Sequence, residues 1–194
     1  ILNHIFSAPT RSQVGEKIAS AKQLNNTMKA LRDSIADNNE ILQSSKYFNE
    51  DSEQQNAYNQ AVNKAKNIIN DQPTPVMAND EIQSVLNEVK QTKDNLHGDQ
   101  KLQKAQQDAT NELNYLTNLN NSQRQSEHDE INSAPSRTEV SNDLNHAKAL
   151  NEAMRQLENE VALENSVKKL SDFINEDEAA QNEYSNALQK AKDI

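Results

Sequence analysis

Apolar residues recur along this chain in steps of three and four. Val14, Ile18, Ala21, Leu24, Met28, Leu31 and Ile35 form one series; Val140, Leu144, Ala147, Leu150, Met154, Leu157 and Val161 form another. That spacing places each series on one side of an α-helix and leaves the other side to water. Pro9–Thr10 followed by Gln13, and Pro135–Ser136 followed by Glu139, supply the capping-box pattern that satisfies free amides at a helix start. No Gly or Pro follows Gly15 until well past Ile35. The first helix is therefore expected to run from Thr10 to about Ser44, about 50 Å at 1.5 Å per residue.

Shorter helices fill the interval. Asn49 is placed to cap a second helix, with Glu50 and Asp51 near its positive end and a stripe of Tyr58, Ala61, Val62, Ala65, Ile68 and Ile69. The polar, Pro-punctuated stretch Asp71–Asn79 reads as a loop. Asp80 and Gln83 open a third helix that turns Ile82, Val85, Leu86, Val89 and Leu96 inward and ends at Gly98, expected as a C′ glycine. A fourth runs from Asp99 with Leu102, Ala105, Ala109, Leu113 and Leu116. A fifth, short and polar, begins near Asn120–Ser122 and ends before Ala134.

The pattern then repeats. Shifted by 126 residues, the start of the chain aligns with its end without a gap. SAPTR (Ser7–Arg11) meets SAPSR (Ser133–Arg137), AKQLNNTMKAL (Ala21–Leu31) meets AKALNEAMRQL (Ala147–Leu157), and QNAY (Gln55–Tyr58) meets QNEY (Gln181–Tyr184). Identical residues occupy 26 of the 68 aligned positions, and the apolar stripes keep one register, which shared Asn/Gln bias alone would not produce. Five helices per period, one about twice as long as the others, suit two three-helix bundles if each long helix gives one half to each. The expected fold is all-α: tandem three-helix bundles joined end to end by shared long helices, forming an elongated rod. The chain begins and ends inside helical patterns, at Ile1 and Ile194, and reads as an excerpt of something longer.

Composition sharpens this picture. Only 34% of the 194 residues are hydrophobic and 4% aromatic, while Asn and Gln together number 46. That is too little apolar volume for one large core, and two Gly and four Pro do not suit an open parallel sheet. A net charge of −10 without a basic cluster argues against nucleic acid and against an anionic membrane surface. No apolar run approaches the ~20 residues of a membrane-spanning helix, so no membrane contact is expected within this segment. Cysteine is absent, which removes disulfides and thiolate metal sites. A monomer is expected.

The candidate chemical groups have simpler readings. His128 lies in EHDE, but HExxH spacing is absent, and His4, His97 and His146 are scattered. His128 reads as part of a solvated face, and His97 as a side chain near a helix C-terminus. The acidic run Asn175–Glu178 lacks the alternating ligands and central Gly of a Ca²⁺ loop and reads as helix capping. Tyr47/Phe48 and Phe173/Ile174 precede the second helix in each copy and are expected to pack a bundle end. Tyr58 and Tyr184 are assigned to the core with the hydroxyl at its rim, and Met28 and Met154 to the core. The sequence offers no nucleophile–base set, catalytic residue, metal ligand set, cofactor motif or Gly-rich phosphate loop, so no enzyme and no cofactor are expected.

Leu113–Leu157 resembles the GA module of Gram-positive surface proteins. Ser44–Asn70 together with Asn87–Gly98 resembles the FIVAR module, and their alternation at 126 residues is similar to giant staphylococcal matrix-binding adhesins. The resemblance implies residues 1–24 as the end of a GA-like module and 25–98 as a FIVAR-like three-helix bundle. It also implies 99–150 as a GA-like bundle whose third helix continues onward, and 151–194 as the start of a second FIVAR-like module. It implies an exported, cell-wall-associated or surface adhesin segment, with fibronectin as the matrix partner and albumin as an alternative partner of the GA-like bundle. The stretch Ser122–Ile131, SQRQSEHDEI, departs from albumin-binding GA modules in having Ile131 as its one clearly apolar residue.

Overall fold

The computed structural model describes residues 10–194; His4 and the Ser7–Pro9 part of the first repeat motif lie outside the described residues. Among the described residues the chain is all-α, without strands. The helices are α1 (Arg11–Ser34), α2 (Asn38–Gln43), α3 (Ser45–Phe48), α4 (Ser52–Ile69), α5 (Asn79–Asp94), α6 (Gly98–Leu113), α7 (Asn121–Ser133), α8 (Arg137–Ala162), α9 (Glu164–Val167), α10 (Ser171–Ile174) and α11 (Glu178–Lys192). Two compact units divide at Lys101/Leu102.

Thr10 and Ser136 are the N-cap residues, each making the cap-to-amide half of the expected capping box. Thr10 Oγ1 accepts from the Gln13 amide at 3.3 Å, and Ser136 Oγ accepts from the Glu139 amide at 3.1 Å. The expected continuous helix to Ser44 does not form. α1 stops at Ser34, about 36 Å from its start. Ser34 Oγ donates to the Leu31 carbonyl at 2.7 Å, and the Ile35 and Ala36 amides turn back onto Arg32 and Asp33. A polar run, Asp33–Ser34 and Asp37–Asn39, favours this local side-chain and turn bonding over further helix. The second copy ends similarly at Ala162.

In the first unit α1, α4 and α5 form a three-helix core. Leu31, Ala61, Ala65, Ile68, Ile82, Leu86 and Val89 are buried together, with Leu24, Met28 and Val85 packed at the margin. Full burial of each Leu or Ile contributes about 1.5–3 kcal/mol. A satellite of Tyr58, Val62 and Leu96 is bordered by Ile41 and Tyr47. Polar ties fix α5 in register: Thr27 Oγ1 donates to Asn79 Oδ1 at 2.7 Å, Lys64 Nζ meets Glu88 Oε1 at 2.6 Å, and Lys93 pairs with Asp37. Upstream in α1 the stripe is less covered, and Ile18 is exposed.

The helix after the first turn region starts later than expected. Asp51, not Asn49, is the N-cap residue of α4, and Asn49 instead closes α3, its Nδ2 donating to Ser45 Oγ at 3.1 Å. α4 ends in a Schellman arrangement. The Gln72 amide donates to the Asn67 carbonyl at 2.9 Å and the Asp71 amide to the Ile68 carbonyl at 3.3 Å. Asp71 takes the left-handed conformation there, with φ 57°. The expected loop follows and includes a cis Gln72–Pro73 bond.

Gly98 is not a C′ glycine. α5 ends at Asp94 and Gly98 opens α6, with φ outside the left-handed region. Its lack of a side chain serves packing instead: a Cβ there would lie 2.6 Å from the Ser45 carbonyl oxygen and 2.9 Å from the Glu50 amide nitrogen.

In the second unit α6, α7 and the N-terminal half of α8 enclose Ala109, Leu113, Leu119, Ile131, Ala134, Val140 and Ala147. The polar helix α7 is tied to its neighbours by hydrogen bonds from its inward groups. Asn120 and Gln123 form a reciprocal capping box. The Arg124 guanidinium donates to the carbonyls of Leu113 at 2.9 Å, Leu116 at 2.7 Å and Leu119 at 3.3 Å. Those carbonyls belong to the end of α6 and the following loop; that of Leu113 also accepts from the Leu116 amide at 3.1 Å. The C-terminal half of α8 then carries Met154, Leu157 and Val161 alongside α11.

Candidate functional site

The strongest electrostatic centre is one the sequence pattern hides. Glu50, read from sequence as a helix-end charge, is buried at 6% exposure between α3 and the start of α6. Its carboxylate accepts from the Lys101 ammonium and from the His97 backbone amide, and from the Asp51 amide at 2.8 Å. Burial pushes the Glu50 carboxyl upward, but these donors outweigh burial and hold it below the ordinary carboxylate range. Lys101 also pairs with Asp51, and the two carboxylates raise its ammonium. This cluster is a structural lock in which three donors converge on the buried carboxylate, two on Oε1 and one on Oε2. No run of sequence signals it, because its partners lie about fifty residues apart.

The histidines separate. His97 contributes its backbone amide to Glu50 while its side chain is exposed. His128 is half-buried on α7, with Nδ1 3.5 Å from Asp129 Oδ1. His146, read as scattered, is brought by α8 onto α7. Its Nδ1 lies 3.0 Å from Oε1 of the buried Glu127, and ligand atoms of Glu127, Glu130 and His146 fall within 4.8 Å of one another. Imidazole and carboxylate satisfy each other across the helix pair, so the group is a polar latch between α7 and α8.

The acidic run Asn175–Glu178 behaves as a helix start. Asp177 is the N-cap residue of α11, Glu178 lies in its first turn, and Glu176 Oε1 accepts from the Asp177 amide at 3.3 Å.

The aromatic pairs divide. Tyr47 packs edge-on against Tyr58 with ring centroids 6.2 Å apart, and Phe173 against Tyr184 at 5.5 Å. Their neighbours Phe48 and Ile174, expected at the bundle end, are instead 66% and 59% exposed. They stand at the same station of the two repeats and form a recurring apolar projection. Tyr58 also departs from expectation, since it is fully buried and its hydroxyl is not at a rim. That hydroxyl has no hydrogen-bond partner. Burial first, then the Asp37 and Tyr47 charges, push its ionisation up to about 12.

The surface elsewhere is charged and paired. Glu152, on an exposed helix face, is held at about 2 by Arg155 and Gln156, and the half-buried Glu164 at about 2 by Lys168 and Lys192. No helix among the described residues is long and apolar enough to cross a membrane.

Comparison with known proteins agrees with this architecture. The FIVAR domain family matches residues 27–97 and 153–194, and the GA module family matches 1–27 and 99–153. The extracellular matrix-binding protein EbhA of Staphylococcus aureus (strain N315) is 45% identical over 192 residues. The alignment covers 99% of this chain and 3% of that protein. The extracellular matrix-binding protein ebh of S. aureus (strain JH9) is likewise 45% identical, with 99% of this chain and 2% of that protein covered. The chain therefore spans a few hundredths of the length of these relatives. A crystal structure of an EbhA domain from S. aureus superposes with a TM-score of 0.76 at 30% identity, covering 85% of this chain and 65% of that one. A second S. aureus structure, described as similar to streptococcal adhesins, gives a TM-score of 0.60 at 31% identity, covering 65% of this chain and 98% of that one. These are families of non-catalytic modules. With FIVAR matches over more than half its length and GA matches before and between them, this chain belongs to the FIVAR/GA-module repeat family.

Proposed function

We propose that this chain is a non-enzymatic repeat segment of a bacterial cell-surface adhesin. It acts as a helical rod or spacer outside the cell and contributes to adhesion to host extracellular matrix, with fibronectin as the partner. The observation that carries this reading is α8. One uninterrupted 26-residue helix supplies Val140 and Ala147 to one core and Met154, Leu157 and Val161 to the neighbouring packing. The near-complete alignment with proteins named for matrix binding supports the matrix assignment. Residues 25–98 and 99–150 are the FIVAR-like and GA-like working units, and cell-wall association of the parent protein completes the picture.

In this reading contact is weak per copy and repeated. Phe48 and Ile174 are suited to it because each exposes a large apolar side chain at the same place in its repeat. Many such contacts gain strength through effective concentration. The test is binding of one and of several tandem copies to immobilised fibronectin and albumin at near-physiological salt. Steep growth of fibronectin binding with copy number is expected, together with its loss in a Phe48→Ser/Ile174→Ser variant. Saturable albumin binding by a single copy would favour the alternative, a discrete albumin-binding module. The exposed groups of α7, including Gln125, Asp129 and Glu130, do not support that alternative, because a protein partner would have to strip water from charges. Small-angle scattering of tandem copies tests the rod: a maximum dimension that does not rise in proportion to copy number would overturn it.

A further inference from the structure

The ungapped 126-residue alignment sets Glu127, Glu130 and His146 against Ile1, His4 and Ser20. Glu127 is thus a carboxylate where the other copy carries an isoleucine, and it is buried at 3% exposure. Isoleucine is what apolar packing alone would select there, since a buried carboxylate is costly unless positive charge faces it. What faces Glu127 is the imidazole of His146, across the contact between α7 and α8. Its Nδ1 lies 3.0 Å from Oε1 and 3.1 Å from Oε2, addressing both oxygens nearly equally. Glu130 stands three residues along α7, on the same side of the helix, and ligand atoms of all three residues fall within 4.8 Å of one another. The side chain of His146 is 65% exposed and Glu130 is also exposed, so the group is open to ions from solution.

We propose that Glu127, Glu130 and His146 form a site for a divalent transition-metal ion of the zinc type, which clamps α7 to α8. One imidazole nitrogen and two carboxylate oxygens make a three-ligand donor set for such an ion, with water completing the coordination. Bonds of about 2.0–2.2 Å to the ion set neighbouring donors roughly 3.4 Å apart in a tetrahedron. Nδ1 and the Glu127 carboxylate already stand near that separation, and the exposed Glu130 closes the remainder by turning its side chain. The ion takes the place of the proton shared between Nδ1 and Glu127, and the imidazole then carries its proton on Nε2. A neutral imidazole can share a proton with Glu127 but leaves the carboxylate charge in place, whereas a divalent cation cancels it. Calcium and magnesium favour all-oxygen sets, so the nitrogen ligand selects against them. The site belongs to one copy, because Ile1 and Ser20 cannot supply the donors of Glu127 and His146.

The test uses the 194-residue chain, isotope-labelled and titrated with zinc chloride, with calcium chloride as the comparison. Saturable one-to-one zinc binding is expected, with chemical-shift changes centred on Glu127, Glu130 and His146. The unfolding temperature should rise with free zinc concentration, as for any ligand that binds the folded state alone. His146→Gln and Glu130→Gln alter exposed side chains, and each should bind zinc at least ~10-fold more weakly while folding like the parent. Glu127→Ile installs the residue of the other copy; it should lose zinc binding and be at least as stable as the parent without metal, which separates ligation from folding. Undiminished zinc binding by His146→Gln would overturn the proposal, as would shifts confined to His4, His97 or His128. Calcium binding as tight as zinc binding, or an unfolding temperature unmoved by saturating zinc, would also overturn it.

Discussion

Gly98 approaches Ser45 so closely that a Cβ on Gly98 would stand 2.6 Å from the Ser45 carbonyl oxygen. The obstructing atoms are backbone on both sides, so neither can rotate away. Gly98→Ala should destabilise the first unit by about 1–3 kcal/mol, overpacking outweighing the ~1 kcal/mol that Ala gains over Gly in a helix. Gly15 is the opposite case: it lies inside α1, and a Cβ added there would meet nothing within 4 Å. Gly15→Ala should stabilise by about 0.5–1 kcal/mol. Urea titration of the two variants should give midpoints that move in opposite directions; a shared direction would refute the packing account of Gly98.

Tyr58 offers a test of the buried hydroxyl. Its ring is core, but its oxygen donates to and accepts from no protein group. Tyr58→Phe keeps the ring and removes the unpaired polar atom, so stability should be unchanged or higher by about 1 kcal/mol. Tyr58→Ala should instead cost about 3–5 kcal/mol. Thermal melts of both variants check this, and a large loss in the Phe variant would mean that the hydroxyl is bonded after all.

Glu50 gives the first unit an acid sensitivity of defined sign. Its carboxyl is depressed in the folded chain. The resulting stabilisation is fully present above the unfolded value, about 4.3, and is lost as pH falls through the lower folded value. Glu50→Gln removes that dependence and leaves Lys101 with Asp51 alone. Glu152 and Glu164 are also held below the ordinary carboxylate range, so the measurement is the difference between parent and variant. The gap in unfolding midpoint should be widest near neutral pH and close on acidification. A gap that stays constant down to about pH 2, below the unfolded carboxyl range, would exclude the ion lock as its source.

Arg124 is expected to be irreplaceable by lysine. Its planar fork reaches the carbonyls of Leu113, Leu116 and Leu119 together, whereas an ammonium offers a point charge at one place. Arg124→Lys should cost about 1–3 kcal/mol in the second unit, although the net charge is unchanged. Amide hydrogen exchange should quicken around the end of α6 and the start of α7. Protection equal to the parent would show that water serves those carbonyls equally well.

Much of the architecture was legible from apolar spacing, because each helix needs only a narrow stripe and the stripe survives in the sequence. Val140, Ala147 and Leu113 reach the core as their positions indicate. The break after Ser34 was not legible from that spacing, since Ile35 continues the three–four rhythm and only the turn bonds around it end the helix. The polar interior was also hidden. Glu50, Glu127 and Arg124 look like solvated residues of a highly charged chain, and their partners become neighbours only after the helices pack. Gly98 misled for a related reason: a glycine near a helix end suggests a left-handed cap, whereas here the missing side chain admits another backbone. Phe48 and Ile174 recur beside Tyr47 and Phe173 at one helix entry, which suggests packing at a bundle end, yet consecutive residues on so short a helix point different ways and these two are exposed.

The ungapped 126-residue spacing has a consequence for how such a protein changes over generations. Since α8 joins one packing to the next through a helix of fixed phase, inserting or deleting a whole period recreates the same contacts at the new junction. Inserting a few residues instead would rotate Met154, Leu157 and Val161 away from their partners by about 100° for each residue added. Reach can thus be adjusted by recombination between near-identical periods, in whole steps, while shorter insertions within the helix are selected against by packing alone.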